Sequence, residues 1–490
     1  MQFFTIFSTL LLTASALPAP HKGEHPPTYT IPGSDIPTVP SGHPTKFTPY
    51  LFRFPRPSDG SAIVNTEEIL TSLQPHGFNR SHLHHKFSAT MNGFAADMSE
   101  HCVKILKAML PASGVIIEPI VTYKVQAPLA TPQLADSKRF IAENRVKNPR
   151  QAPAPGITSL QTQTNAPWGL QRISQKKMIS IGSNASPDKV KEPIFSYTFD
   201  ETAGEGVDIY VIDTGVNVDH VSFGGRAKRV FTAESLKQDP LDGEEDHAGH
   251  GTHCAGTTGS RGFGVAKKAR IHAIKVMGRK GSGSSSDIVA GIDFMLDSHR
   301  KRSKEADFKG SVASLSFGLD ADESDPNSRS SSPILERAIM KANLEGIHVV
   351  IAAGNQGIDA CRVSPSFLSN AIYNGTNLNY AAHAITVGAT DIYDNRADFS
   401  NYGPCITTYA PGQDILSTYI GGTEATESLS GTSMAAPHVA GLVAYYLGQD
   451  QSLRTDIVAM KKKIMNTSWK GLLHNIKDSA DSKILAFNGV

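Results

Sequence analysis

The chain has 490 residues, 47 Lys and Arg against 46 Asp and Glu, and 39% hydrophobic residues. That length suggests two or three domains with a sizeable core, and the near-balance of charge excludes the long-range field of a nucleic-acid or anionic-membrane binder. Four cysteines are too few for a disulfide scaffold, and 42 Gly with 29 Pro fit a loop-rich enzyme and exclude a coiled coil.

Residues 1–16 read as a secretory signal. Phe3 to Ala16 is apolar, too short to span a bilayer, and ends in the small residues Thr13-Ala14-Ser15-Ala16, although no Lys or Arg precedes it. Residues 17–47 are Pro-rich and read as an unfolded segment. No later apolar run reaches spanning length, so the mature protein is expected to be soluble and without a membrane span. Residues 48–125 read as a small α+β unit. Tyr50 to Phe54 alternates like a strand, and Thr66 to Leu73 has helical periodicity with Thr66 as N-cap. Phe87 to Met98 suits a strand pair, and Ser99 to Leu110 repeats like a helix. Val115-Ile116-Ile117 and Ile120 to Val125 are expected to close that sheet. Residues 126–164, rich in Pro, Ala, Gln and Thr, read as an exposed linker, with a maturation cut expected near Ser159 to Thr164 and room for another upstream.

From 165 to 490 short apolar runs alternate with helical patterns. Val207 to Ile212, Arg270 to Val276, Ser311 to Phe317, Ile347 to Ala353 and Ala384 to Val387 read as buried parallel strands. Ser286 to Ser298 and Pro333 to Glu345 read as covering helices. The fold class is therefore α/β: a doubly wound, mostly parallel sheet with helices on both faces. Functional residues belong at the carboxyl ends of such strands, and Asp213 and Asn355 each follow one.

Three motifs stand on this frame: Asp213-Thr214-Gly215, His250-Gly251-Thr252-His253 and Gly431-Thr432-Ser433-Met434-Ala435. A serine hydroxyl needs an adjacent base to act as nucleophile, and a histidine base needs a carboxylate to fix its tautomer. Singly, each has an ordinary reading: Asp a turn residue, His a solvated loop, Ser a helix cap, Gly-Asn a common turn. Together, in the order Asp, His, Ser, they resemble the subtilisin family of serine peptidases. Asn165-Ala166-Pro167-Trp168-Gly169-Leu170, Ser400-Asn401-Tyr402-Gly403 and Pro437-His438-Val439-Ala440-Gly441-Leu442 resemble its fungal proteinase K and vacuolar protease B (cerevisin) branch.

That resemblance implies a serine endopeptidase made as a zymogen, acting on protein and peptide substrates through an acyl-enzyme on Ser433. His250 would be the base and Asp213 its orienter. Asn355 would stabilise the oxyanion beside the amino end of a helix over Ser433 to Leu447. Residues 48–125 would be a ferredoxin-like inhibitor propeptide, acting on its own enzyme. Ser316-Phe317-Gly318 and Ala352-Ala353-Gly354 would wall the pocket for the residue before the cut. Because those walls are small or apolar, a broad preference for aromatic or large aliphatic residues is expected. No cofactor is required for catalysis; a structural calcium at Asp391 is implied, with an insertion at 367–382 interrupting its neighbourhood.

Cys254 resembles a buried free thiol of this branch, which leaves Cys361 and Cys405 for one bridge or for two buried thiols. Asn79, Asn184, Asn374 and Asn466 open glycan acceptor motifs. His82, His84 and His85 have metal-like spacing, but a solvated loop is the favoured reading, with acid sensing a weaker one. No role is assigned to His253. The protein is expected to be a monomer of the secretory pathway, secreted or vacuolar. Two rivals remain: a selective processing peptidase that uses the acidic run Asp320, Asp322, Glu323, Asp325 to attract basic residues, and an inactive binding module that keeps the fold.

Overall fold

A computed structural model describes residues 46–54, 64–110, 115–125, 146–147, 159–180, 187–321, 330–370 and 383–490. The expected signal, nearly all of the Pro-rich segment, most of the linker, most of both insertions, Asn184 and Asn374 lie outside these residues.

The alternating residues of β1 (Phe47–Phe54) turn Phe52 and Phe54 into a small core. Around it run α1 (Thr66–Leu73), β2 (Leu83–Phe87), β3 (Asn92–Ser99), α2 (Glu100–Met109) and β4 (Ile116–Pro119). The order β-α-β-β-α-β, with antiparallel neighbours β2-β3-β1-β4, is the split arrangement expected for a ferredoxin-like unit. Helix α2 starts where Ser99 accepts the Cys102 N–H at 3.1 Å, and it buries Cys102, Ile105, Leu106 and Met109, one stripe at helical spacing. The cap of α1 is Asn65, one residue earlier than expected, because its side chain accepts from Glu67 N and Glu68 N. The strand pair also begins earlier, so His84 and His85 lie in β2 and not in a loop.

One expectation is corrected outright. Strand β5 (Thr122–Val125) does not close the sheet of the small amino-terminal unit. It leaves that unit and runs antiparallel between β11 (Ser282–Ser284) and β13 (Phe317–Gly318) of the larger one. Alternating residues declare a strand, but its partner is set by what lies beside it in space.

In the larger unit β6 (Leu160–Ala166) pairs with β7 (Phe195–Asp200). The main sheet holds β8 (Val207–Asp213), β9 (Ala227–Thr232), β10 (Arg270–Lys275), β12 (Gly310–Leu315), β14 (Ile347–Ala352), β15 (Ile385–Thr390) and β16 (Thr408–Pro411), all parallel. Its order is β9-β10-β8-β12-β14-β15-β16 before a short carboxyl-terminal pair. Strand order therefore reverses between β8 and β12, the position where doubly wound sheets bind ligands. Alternation divides the core: Ile209 and Val211 face one hydrophobic layer, Tyr210 and Ile212 the other. On these faces pack α3 (His250–Gly259), α4 (Ser285–Arg302), α5 (Pro333–Leu344) and α6 (Thr432–Gln449). Helix α6 is buried along its whole length except Gln449, as befits a helix apolar all round. It begins at Thr432 and so places Ser433 within its first turn.

Candidate active site

Asp213 ends β8 and His250 opens α3, and the fold brings them together. His250 Nδ1 lies 2.7 Å from Asp213 Oδ1, and both side chains are buried. A carboxylate can only accept, so the ring donates through Nδ1 and leaves Nε2 as the basic nitrogen. Gly251 allows this approach, because a Cβ there would stand 2.1 Å from the Gly215 carbonyl oxygen. Burial opposes a charge on His250, but Asp213 and the neighbouring Cys254 outweigh it and hold the ring's pKa well above the ordinary value. The loop before His250 is organised by Asp246. Its carboxylate accepts from Ala248 N, Gly249 N, Thr252 N, Thr252 Oγ1 and Thr214 Oγ1 at 2.6 to 3.1 Å. Thr214 in turn accepts the Gly251 N–H at 2.9 Å. Asp246 thus ties the strand carrying Asp213 to the helix carrying His250. Sequence reasoning passed over it; an acid four residues ahead of a helix-opening histidine is the available signal.

Ser433 sits where α6 starts, beside N–H groups that have no partner within the helix. Pro437, four residues on, cannot donate to the Ser433 carbonyl. That oxygen is taken instead by Cys254 Sγ at 3.3 Å and Ser316 Oγ at 3.2 Å. Cys254 also lies 3.8 Å from His250 Nδ1, so the thiol touches both the serine and the histidine segments. The Ser433 hydroxyl itself donates to the Ser316 carbonyl at 2.8 Å, while His250 Nε2 is buried with no hydrogen-bond partner among the described residues. The three predicted residues are gathered at one place, with the Asp213–His250 bond made and the Ser433 hydroxyl turned to the cleft wall.

Asn355 follows β14. Its Oδ1 accepts from Thr432 N and Thr432 Oγ1, both at 2.9 Å. This fixes the acceptor end of the amide on α6 and directs the donor end away from it. Gly354 is held in the left-handed region at φ 103°, and a Cβ would meet Asn401 Nδ2 at 2.3 Å.

The proposed pocket walls flank a cleft that the chain itself fills. Phe317 pairs with Val125 and Gly318 with Lys124; on the other side Gly283 pairs with Tyr123. Val125 N donates to Gly281 O at 2.9 Å. Ala352, Ala353, Ser316 and Phe317 are buried, with no carboxylate among them.

The remaining candidates lie elsewhere. His253 is neutral and structural: its Nε2 bonds Ile415 O at 2.8 Å and Glu427 O at 3.1 Å, and burial lowers its pKa to about 3. His82 packs on Phe47, His84 is 3.2 Å from Asp97, and His85 is 2.8 Å from Asp287, so they do not converge as a metal set. Asp391 accepts Tyr393 N, Asn395 N and Asn395 Nδ2, each at 2.9 Å, so its oxygens organise a turn. Cys361 and Cys405 are joined, with Cα atoms 5.3 Å apart. Cys102 and Cys254 are buried thiols. Asn79 and Asn466 are exposed.

Comparison with known proteins places this geometry. Residues 204–489 match the subtilase family model (Peptidase_S8). The chain is similar to "Subtilisin-like serine protease Pen ch 18" of Penicillium rubens, 42% identical over 66% of this chain and 60% of the relative. It is similar to cerevisin of Saccharomyces cerevisiae, 41% identical over 68% of this chain and 48% of that protein. "Subtilisin-like serine protease Rho m 2.0101" of Rhodotorula mucilaginosa is 42% identical, over 66% of this chain and 86% of the relative. The match thus spans 60% or less of the length of the first two relatives. A crystal structure of a cold-adapted subtilisin-like serine proteinase superposes with a TM-score of 0.51 and 31% identity, over 66% of this chain and 99% of the other.

Proposed function

The chain belongs to the subtilase family, and from that premise we propose that it is a serine endopeptidase made as a self-inhibited zymogen. The observation that carries this reading is the buried Asp213–His250 pair set beside Ser433 at a helix start, with a strand of the same chain threaded along the cleft. In the reaction His250 Nε2 takes the hydroxyl proton as Ser433 Oγ attacks the scissile carbonyl. A turn of the Ser433 side chain from Ser316 O toward His250 begins this step. Asp213 stabilises the imidazolium. Asn355 Nδ2 and the amide N–H groups at the start of α6 stabilise the oxyanion. The imidazolium then protonates the leaving amine, and water, deprotonated by the same histidine, releases the acyl group from Ser433.

The register of β5 also supports a proposal for the first self-cleavage. Val125, the last described residue of β5, lies opposite Phe317, and the residue before Phe317 in the cleft wall is Ser316, whose carbonyl holds the Ser433 hydroxyl. We assign the first cut to the Gln126–Ala127 bond. A later trimming cut at 159–164 would fall largely within β6, whose pairing with β7 disfavours it. The small, apolar walls support broad acceptance of aromatic and large aliphatic residues before the cut, and Gln126 marks the breadth of that tolerance. The signal-like start and the Cys361–Cys405 bridge support passage through the secretory pathway, to the exterior or a vacuole. Among the described residues no helix is long and apolar enough to cross a membrane. Catalysis needs no metal in this reading.

A basic-directed alternative has one observation in its favour: Lys124 Nζ is 2.9 Å from Asp320 Oδ2. Both side chains are at least half exposed, where such pairs contribute little, and Lys124 does not precede the assigned cut.

The test is labelling with a fluorophosphonate. Matured protein is expected to take one label, on Ser433, and the Ser433→Ala variant none. An unlabelled matured wild type, beside a labelled serine peptidase control, would favour the binding module.

A further inference from the structure

Strand β5 turns alternate side chains toward the enzyme, and the one it buries completely is Tyr123; Thr122 and Lys124 are exposed. The ring stands edge-on to Phe317, with centroids 5.8 Å apart and planes at 82°. Such a wall would accept the ring of phenylalanine as well as that of tyrosine. The floor is different. The Tyr123 hydroxyl lies 3.0 Å from Ser364 Oγ, and Ser364 Oγ lies 3.1 Å from Glu336 Oε1. Glu336 is buried, and the same oxygen accepts Ser331 Oγ and Ser332 N, each at 3.0 Å.

A carboxylate oxygen only accepts, so the Ser364 hydroxyl must donate to Glu336. Its lone pairs are then the only capacity it can offer the phenol, which therefore donates to Ser364. The relay Tyr123 to Ser364 to Glu336 has one direction, set by a buried acid. Burial also holds the phenol in its protonated, donating form. Phe317, Ser364 and Glu336 all belong to the larger unit, so the pocket remains when the propeptide leaves.

We propose that this pocket reads a hydroxyl: the enzyme selects tyrosine over phenylalanine three residues ahead of the residue that precedes the cut, and Ser364 and Glu336 determine that selection. The proposal rests on the peptidase reading above and deepens it. A phenylalanine in the same place would leave an oriented acceptor in a dry pocket unmatched, a loss of the size of one neutral hydrogen bond, about three- to tenfold in kcat/KM.

The experiment uses matured enzyme and two internally quenched peptides carrying Tyr-Lys-Val-Gln-Ala-Pro-Leu, the chain's own residues 123–129, or the same with phenylalanine first. The wild type is expected to cleave the tyrosine peptide about three- to tenfold faster in kcat/KM. Ser364→Ala is expected to bring the ratio near one while cleavage of the phenylalanine peptide persists. Equal rates in the wild type would overturn the proposal, as would a tyrosine preference that survives Ser364→Ala. Cleavage of neither peptide by an enzyme whose Ser433 takes the fluorophosphonate would overturn the pocket alone. Cleavage of neither together with no labelling would remove the peptidase reading as well.

Discussion

The Ser433 carbonyl explains more of the site than the Ser433 hydroxyl does. Pro437 denies that carbonyl its helical partner, and Cys254 and Ser316 take the vacant bond, so the backbone under the nucleophile is anchored to α3 and to the cleft wall. Asp213, His250, Asn355 and Ser433 were legible as candidates, since they sit in motifs whose chemistry is local. The supporting roles were not: Thr432 and Ser316 act through contacts with distant segments, which no spacing reveals, and Asp246 offers only its place four residues ahead of His250. Asn355→Ala is expected to lower kcat about 10²- to 10³-fold with little change in KM, because the amide matters only once charge develops on the substrate oxygen; steady-state kinetics on a peptide substrate would check it. The pH profile follows from His250. The ring must be neutral to act as base, and Asp213 raises its pKa. The acid limb of kcat/KM is therefore expected above about 6.5, the ordinary imidazole value. Asp213→Asn should cut the rate about 10⁴-fold and leave burial to draw the residual limb toward acid.

At the scale of elements, the small amino-terminal unit is fastened to the larger one along α4 and at the amino end of α5. The Asp293 carboxylate on α4 accepts Ala89 N, Thr90 N and Thr90 Oγ1 at 2.6 to 2.8 Å, with Ser88 N at 3.2 Å. His85 meets Asp287 in the first turn of α4 at 2.8 Å. Glu118 accepts Ser332 Oγ at 2.8 Å and Ile334 N at 3.1 Å where α5 begins. Burial raises the Glu118 pKa to about 7, outweighing those two hydrogen bonds, and Glu336 nearby adds to the rise while Arg337 opposes it. A carboxyl whose docked pKa exceeds its free value takes up a proton on docking. Its contribution is full below the free value of about 4.3 and fades as pH climbs to about 7. Propeptide release after cleavage is thus expected to quicken between pH 5 and 8, and Glu118→Gln to flatten that dependence. Gel filtration of cleaved protein across this range would show it. Helices α1 and α2 and the buried strands could be read from periodicity. The destination of β5 could not, because an edge strand with alternating residues fits any open edge of suitable shape.

Seen as one molecule, the chain in the proposed reading encloses its own first substrate. Two layers of core fix the sheet, the reversal of strand order between β8 and β12 opens the cleft, and β5 of the amino-terminal region lies along its wall at Phe317 and Gly318. The peptidase family was legible in the motifs, whereas composition marks a linker without marking which of its bonds would reach Ser433. The proposed first cut follows instead from the register of β5 on β13. The most direct test is to refold purified precursor, with and without Ser433→Ala, and to read the new termini by mass spectrometry. The account predicts that the wild type cleaves first between Gln126 and Ala127 while the alanine variant stays whole. A first cut elsewhere, or the same cut in the alanine variant, would contradict it.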